Sequence, residues 1–179
     1  MTNIINKIIS NFSNNKSLYI GEDLTIAEHM IQTAMLAEKK NCSDDLICSS
    51  LLHDYGHFII NEPDKLVKNK IDGSHEIIGA NYLKSFFSDK IIKPILLHVD
   101  AKRFLAMNKK YFNNLSKASK VSLKLQGGIM KAKEAKNFIK DKNYKDAIKL
   151  RRFDEGAKKK NIKIKKIEDY KKLLISKII

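Results

Sequence analysis

All five histidines of this chain lie between positions 29 and 98, in the order His29, His53, His57, His75 and His98, with Asp54 directly after His53 and Asp154 far downstream. Neutral imidazole nitrogen and carboxylate oxygen are the donors that suit iron, zinc or manganese. A single histidine on an apolar helix is usually a core residue satisfied by a hydrogen bond. A cluster of five, with none in the rest of the chain, reads instead as a metal site.

Counting donors separates one metal from two. His29, His53, Asp54 and Asp154 fill four positions on a single ion and leave His75 and His98 in surplus. A second ion that shares Asp54 removes the surplus, and both ions keep open positions, as catalytic metals do. On a helix the adjacent His53 and Asp54 point about 100° apart, so one can bind an ion while the other bridges to a second. His57 falls one turn after His53 on the same face, as a third donor, a group behind the donors or a substrate contact. Helical bundles build metal sites from inward side chains on separate helices in this way.

Two further spacings point at an anion. Lys102 follows His98 by four residues and Arg151 precedes Asp154 by three, so each shares a helix face with a candidate donor. Cations turned towards a site of carboxylates and imidazoles suit a phosphate, phosphonate or carboxylate group. The competing reading makes both of them surface charges of a lysine-rich half.

The elements that must position these residues read as helices. Two prolines, seven glycines and apolar residues at helical spacing leave no alternating strand pattern. A first helix spans Asn3 to Phe12, and a polar loop with Gly21 as its hinge runs from Asn14 to Asp23. Thr25 opens a strong helix towards Lys40, with Glu28 completing a capping box. Ser43 or Asp44 caps the next, whose face leads through Ser50, Asp54 and Tyr55 into His57. Residues 60–73, with Pro63 and Asp64, form a loop. Helices follow over Ser74 to Phe87 and Asp89 to Met107, with Pro94 tolerated early in the second. Gly127-Gly128 breaks the pattern after Leu125, and further helices lie at about 130–139, 143–158 and 167–178.

At 179 residues and 43% apolar composition the chain is expected to be one domain, 1–179. Cys42 and Cys48 fit neither a disulfide framework nor a zinc pattern, and read as reduced thiols. No signal peptide or membrane span is indicated, which predicts a cytoplasmic protein with no membrane partner. The net charge of +15 is lopsided: residues 1–90 hold nine lysines and twelve acids, whereas residues 91–179 hold 26 basic and eight acidic residues. No aromatic side chains are interleaved with that excess and no DNA-binding motif accompanies it, so no nucleic-acid partner is expected.

The order His29…His53-Asp54…His75…His98…Asp154 resembles the HD-domain superfamily. The flanking motifs are Tyr19-Ile20-Gly21-Glu22, Leu52-His53-Asp54-Tyr55-Gly56-His57, His75-Glu76-Ile77-Ile78-Gly79-Ala80, His98-Val99-Asp100-Ala101-Lys102-Arg103-Phe104, Leu125-Gln126-Gly127-Gly128 and Leu150-Arg151-Arg152-Phe153-Asp154. Taken in order, they are similar to the mixed-valence di-iron oxygenase branch of that superfamily, and among its members to the glycine-forming 2-amino-1-hydroxyethylphosphonate dioxygenases. Residues 14–23 are expected to form an active-site loop and 160–179 a basic C-terminal helix. The resemblance implies an all-α HD-domain bundle around a dinuclear site. It implies one iron on His29, His53, Asp54 and Asp154, a second on His75 and His98 with Asp54 as bridge, an Fe(II)/Fe(III) state, and O2 as co-substrate. The small-molecule substrate would be (R)-2-amino-1-hydroxyethylphosphonate, cleaved to glycine and phosphate in organophosphonate catabolism. Besides Asp54, the resemblance assigns Glu22 to the substrate ammonium group and Tyr19 to guarding the iron before substrate arrives. It assigns His57, Lys102, Arg151 and Ser119 to the phosphonate end.

Three rivals remain at this point. A phosphohydrolase of the same superfamily would work without oxygen and leave Tyr19 and Glu22 without a role. An oxygenase for an N-methylated analogue of the same phosphonate would bind a quaternary ammonium. A silent binding protein would use the basic tail.

Overall fold

The computed structural model describes residues 2–19, 23–60 and 73–179. It is all-α, with no strand among the described residues: α1 (Thr2–Asn14), α2 (Ile26–Lys39), α3 (Asp44–Leu52), a 3-10 turn (Tyr55–Phe58), α4 (His75–Leu83), α5 (Asp89–Leu105), α6 (Lys109–Asn114), α7 (Lys117–Leu125), α8 (Ala132–Phe138), α9 (Tyr144–Gly156), a second 3-10 turn (Ile167–Tyr170) and α10 (Lys171–Ser176). No described helix is long and apolar enough to cross a membrane.

The central helices start where the sequence places their caps. Thr25 Oγ1 accepts from Glu28 N at 3.1 Å, and Glu28 Oε2 accepts from Thr25 N at 2.7 Å, closing the capping box that begins α2. Ser43 caps α3 by accepting from Leu46 N. The inner stripe of α2, His29, Met30, Thr33, Ala34 and Ala37, is wholly buried, as one face of a 3.6-residue repeat should be. α5 crosses the middle of the bundle, packed on α3, α4 and α9, while α9 also lies on α2 and α3. These helices carry every histidine of the cluster except His53 and His57, which sit at and just past the end of α3.

Three expectations are corrected. The helix after Ser43 does not run on to His57: it stops at Leu52, His53 caps it, and Asp54 turns away at φ −99°, ψ 14° into the 3-10 turn. The backbone at Gly56 then lies against the start of α4, so close that a Cβ on Gly56 would fall 1.9 Å from the His75 carbonyl oxygen. Residues 108–125, left without a helix in the sequence reading, form α6 and α7, capped by Asn108 and Ser116. The basic helix expected over 160–179 is non-helical through Lys166 and helical only from Ile167 to Ser176.

That C-terminal segment is nonetheless docked. Ile167, Tyr170 and Leu174 join the main core, Tyr170 Oη donates to Glu38 at 3.1 Å, and Ile179 N donates to the Phe86 carbonyl at 3.1 Å. Cys42 and Cys48 are free thiols, the second fully buried.

Candidate metal centre

Histidines from α2, the end of α3, α4 and α5 converge on Asp54, which stands at the start of the 3-10 turn. Its Oδ2 lies 3.4 Å from His53 Nε2 and 3.7 Å from His29 Nε2, while its Oδ1 lies 3.1 Å from His75 Nε2 and 3.6 Å from His98 Nε2. Asp154 Oδ1, brought in by α9, is 3.2 Å from His29 Nε2. Two groups result, each with its donor atoms within 4.8 Å of one another: His29, His53 and Asp154, and Asp54, His75 and His98. One carboxylate oxygen faces each group, as a bridging ligand requires. Asp54 can span them because it has left the helix and stands in a turn between α3 and α4, which corrects the picture of two neighbours diverging on one helix face.

The donor chemistry fits bound cations. His29 donates from Nδ1 to the Ala157 carbonyl at 2.9 Å, His53 to that of Ser50 at 2.9 Å, and His98 to that of Ile95 at 2.7 Å. Each bond fixes the proton on Nδ1 and leaves the Nε2 lone pair facing inward. His29 Nε2, His53 Nε2 and Asp154 Oδ1 are buried without a hydrogen-bond partner, and all three belong to one group. Buried polar atoms are rarely left bare without an ion or water to satisfy them. In the other group His75 Nε2 and His98 Nε2 stand 3.2 Å apart, an approach that a cation between them would relieve. The described residues thus provide two adjacent donor groups that could hold a pair of metal ions.

Electrostatics keep the carboxylates ionised. Burial alone would raise Asp54 and Asp154, but His53 and His75 beside the first, and Arg151 and His29 beside the second, hold both well below the usual carboxylate range. Burial, reinforced by His75, pushes His98 well down, so it stays a neutral donor.

Lys102 and Arg151 are buried, at 4% and 3% exposure, and not surface charges. Burial and the neighbouring Arg151 lower the Lys102 ammonium to about 7, and its Nζ donates to Ser122 Oγ at 3.0 Å. Arg151 donates to Asp154 Oδ2, to Glu155 Oε2, to Tyr111 Oη at 3.2 Å and to Ser119 Oγ at 3.4 Å. It therefore holds Asp154, a member of one donor group, and also reaches Ser119 and Glu155. Ser119 is buried on α7, on that same side. His57 stacks on His75 with ring centroids 4.3 Å apart, and burial and His75 push it down to about 3. Tyr19 stacks on His29 at 4.1 Å, and burial followed by Asp154 raises its pKa, so it stays a protonated phenol. The bridge Leu18–Thr25 and the bond from Tyr19 N to Leu24 O hold this loop to the start of α2. Ile20, Gly21 and Glu22 of the expected 14–23 loop lie outside the described residues, as do Pro63 and Asp64.

The sequence reading missed Glu155 and Lys158. Lys158 Nζ donates to Ser119 Oγ at 2.9 Å and stands 5.6 Å from the Tyr19 ring centroid. Both residues carried a signal, lying one helical turn beyond Arg151 and Asp154 respectively.

A family model described as "HD domain" matches residues 26–170. The chain belongs to the HD-domain family. Among characterised relatives of this HD-domain protein, hydroxymethylphosphonate dioxygenase of Gimesia maris is 40% identical over 156 residues, covering 85% of this chain and 77% of that one. The [1-hydroxy-2-(trimethylamino)ethyl]phosphonate dioxygenase (glycine-betaine-forming) of Leisingera caerulea is 44% identical over 142 residues, 79% of this chain and 72% of that one. The uncharacterized protein L432 of Acanthamoeba polyphaga mimivirus is 37% identical over 160 residues, 88% and 73% of the two chains. Both of the functionally named relatives are phosphonate dioxygenases.

Proposed function

We propose that this HD-domain protein is an iron-dependent oxygenase that cleaves the C–P bond of a small 1-hydroxyphosphonate, with (R)-2-amino-1-hydroxyethylphosphonate as its substrate and glycine and phosphate as products. The observation that carries the reading is the juxtaposition of two donor groups, each faced by one oxygen of Asp54, with a buried basic end formed by Lys102, Arg151 and Ser119. The two phosphonate dioxygenases among the relatives support it.

Iron held by the two donor groups would supply the redox chemistry with O2 that no side chain offers. The reaction balances with O2 alone: the carbon bearing the hydroxyl becomes a carboxylate, the electron pairs of its C–H and C–P bonds together supply the four electrons that reduce O2, both oxygen atoms end in products, and one proton is released. The chain's own residues bind and orient. Lys102, its ammonium lowered to about 7 by burial and by Arg151, is about half protonated near neutral pH and becomes fully protonated when a phosphonate dianion arrives. Ser119 and His57 add hydrogen-bonding capacity at the same end. Tyr19 covers His29 with its ring and keeps its hydroxyl proton, able to donate to an oxygen brought into the site. Glu22, three residues after Tyr19 in the sequence, would supply the carboxylate for the substrate ammonium.

An N-methylated substrate is the second reading, favoured by the Leisingera relative and by the aromatic face of Tyr19 at the site, since quaternary ammonium groups are held on such faces. A panel of hydroxymethylphosphonate, the primary amine and its trimethylated analogue, compared by kcat/KM on iron-loaded protein, separates the readings. The primary amine is expected to lead by about tenfold or more, the scale of one charge-assisted hydrogen bond. Glu22→Gln should cost the primary amine more than it costs hydroxymethylphosphonate. A preference for the trimethylated compound would replace the first assignment by the second.

A further inference from the structure

The anion end is already filled by a carboxylate of the chain itself. Glu155 Oε2 accepts from Arg151 Nη2, and Ser119 Oγ donates to it at 3.3 Å. Its Oε1 lies 3.5 Å from the backbone nitrogen of Ser116 and 3.6 Å from Lys158 Nζ. Arg151 has a second carboxylate, Asp154, whose Oδ1 faces the histidines. Asp154 thus has a role in the metal centre, whereas Glu155 belongs to neither donor group. What Glu155 occupies instead is a set of cations and hydroxyls that an oxygen-rich anion would use.

An Arg–Glu pair one turn apart on an exposed helix face contributes little. Here the arginine is buried, with 3% of its side chain exposed against 20% for Glu155. A buried guanidinium deprived of its partners is costly; Asp154, which also faces the histidines, gives Arg151 one anion at Nη1, and Glu155 gives it a second at Nη2. The side chain of Glu155 is 20% exposed against 2% for Asp154, so of the two carboxylates on Arg151 it is the one nearer solvent.

We propose that Glu155 is a resident anion. It satisfies Arg151, Ser119 and Lys158 in the resting protein, yields them to the phosphonate group on binding, and by returning hastens departure of phosphate. It is a residue that sets affinity and product release and has no part in bond cleavage. The proposal rests on the phosphonate reading given above.

The test uses iron-loaded protein with inorganic phosphate as probe, measured by calorimetric titration and as an inhibitor of turnover. Glu155→Gln keeps length and hydrogen bonding but removes the charge. Repulsion between like charges a few ångströms apart at a partly buried site is enough to change binding by about tenfold. The expected results are a phosphate Ki about tenfold lower, a KM lower by a similar factor, and a kcat that falls as product leaves more slowly. Glu155→Asp, whose shorter arm draws the charge back from Ser119, should lower Ki by about threefold. Unchanged or weaker phosphate binding in both variants overturns the proposal and assigns Glu155 to holding Arg151 in place. Wild-type protein that neither binds phosphate nor turns over any phosphonate would overturn the functional reading instead, so the two failures are distinguishable.

Discussion

Asp54→Ala should leave the protein with one bound metal ion per chain in place of two and lower turnover by about 1,000-fold or more, equivalent to about 4 kcal/mol of barrier. The expectation follows from the way Asp54 divides its oxygens. His29, His53 and Asp154 form a complete three-donor group without it, whereas the second group shrinks to His75 and His98. Two imidazoles alone bind a divalent ion weakly, and the second ion should be lost at micromolar metal. Asp54→Asn keeps the volume but loses the charge and one of the two lone-pair oxygens, so it should weaken the second ion less than alanine does. Metal analysis after gel filtration reads the outcome directly. Retention of both ions in Asp54→Ala would mean that Asp54 does not bridge them.

The second large effect is structural. Gly56→Ala should destabilise the fold by about 3 kcal/mol or more, because it forces atoms into a packed contact. The added Cβ would meet the His75 carbonyl oxygen at 1.9 Å, its carbon at 2.7 Å and Gly79 N at 3.0 Å. All three are backbone atoms, so no side-chain rotation relieves the clash, and the 3-10 turn must move off α4. For a chain of this size that corresponds to a fall in Tm of about 6–12 °C. Since Asp54 and His75 flank this contact, separation should also weaken the second metal position. Gly128→Ala is the control: its φ of +73° strains any side chain, but nothing lies within 4 Å of the added atom. It should cost about 1 kcal/mol. A Tm loss in Gly128→Ala equal to that in Gly56→Ala would show that the glycine contact between the turn and α4 is not tight.

The donors were legible in the sequence because histidine is scarce in this chain and clustered, and because local caps such as Thr25 with Glu28 advertise helix starts. The end of α3 was not legible. Apolar spacing runs on past Leu52, and only the long-range contact of Gly56 with His75 and Gly79 shows why the chain turns there. The C-terminal segment misled for a related reason. Its lysines and isoleucines recur at helical spacing, yet Gln32 takes both the N–H and the carbonyl of Lys159, at 3.0 and 2.8 Å, and His29 takes the Ala157 carbonyl. Backbone groups bound to α2 in this way cannot continue α9. Glu155 and Lys158 escaped notice because charges are abundant around them; burial, which sequence does not print, separates Arg151 and its partners from the solvated lysines nearby.

The measurement that bears most directly on the central claim is phosphate release from (R)-2-amino-1-hydroxyethylphosphonate by iron-loaded protein with and without oxygen, run beside zinc-loaded protein. Release only with iron and oxygen together, with one glycine formed for each phosphate, is the expected result. Release from anaerobic or zinc-loaded protein would contradict the oxygenase and point to hydrolysis at the same donors.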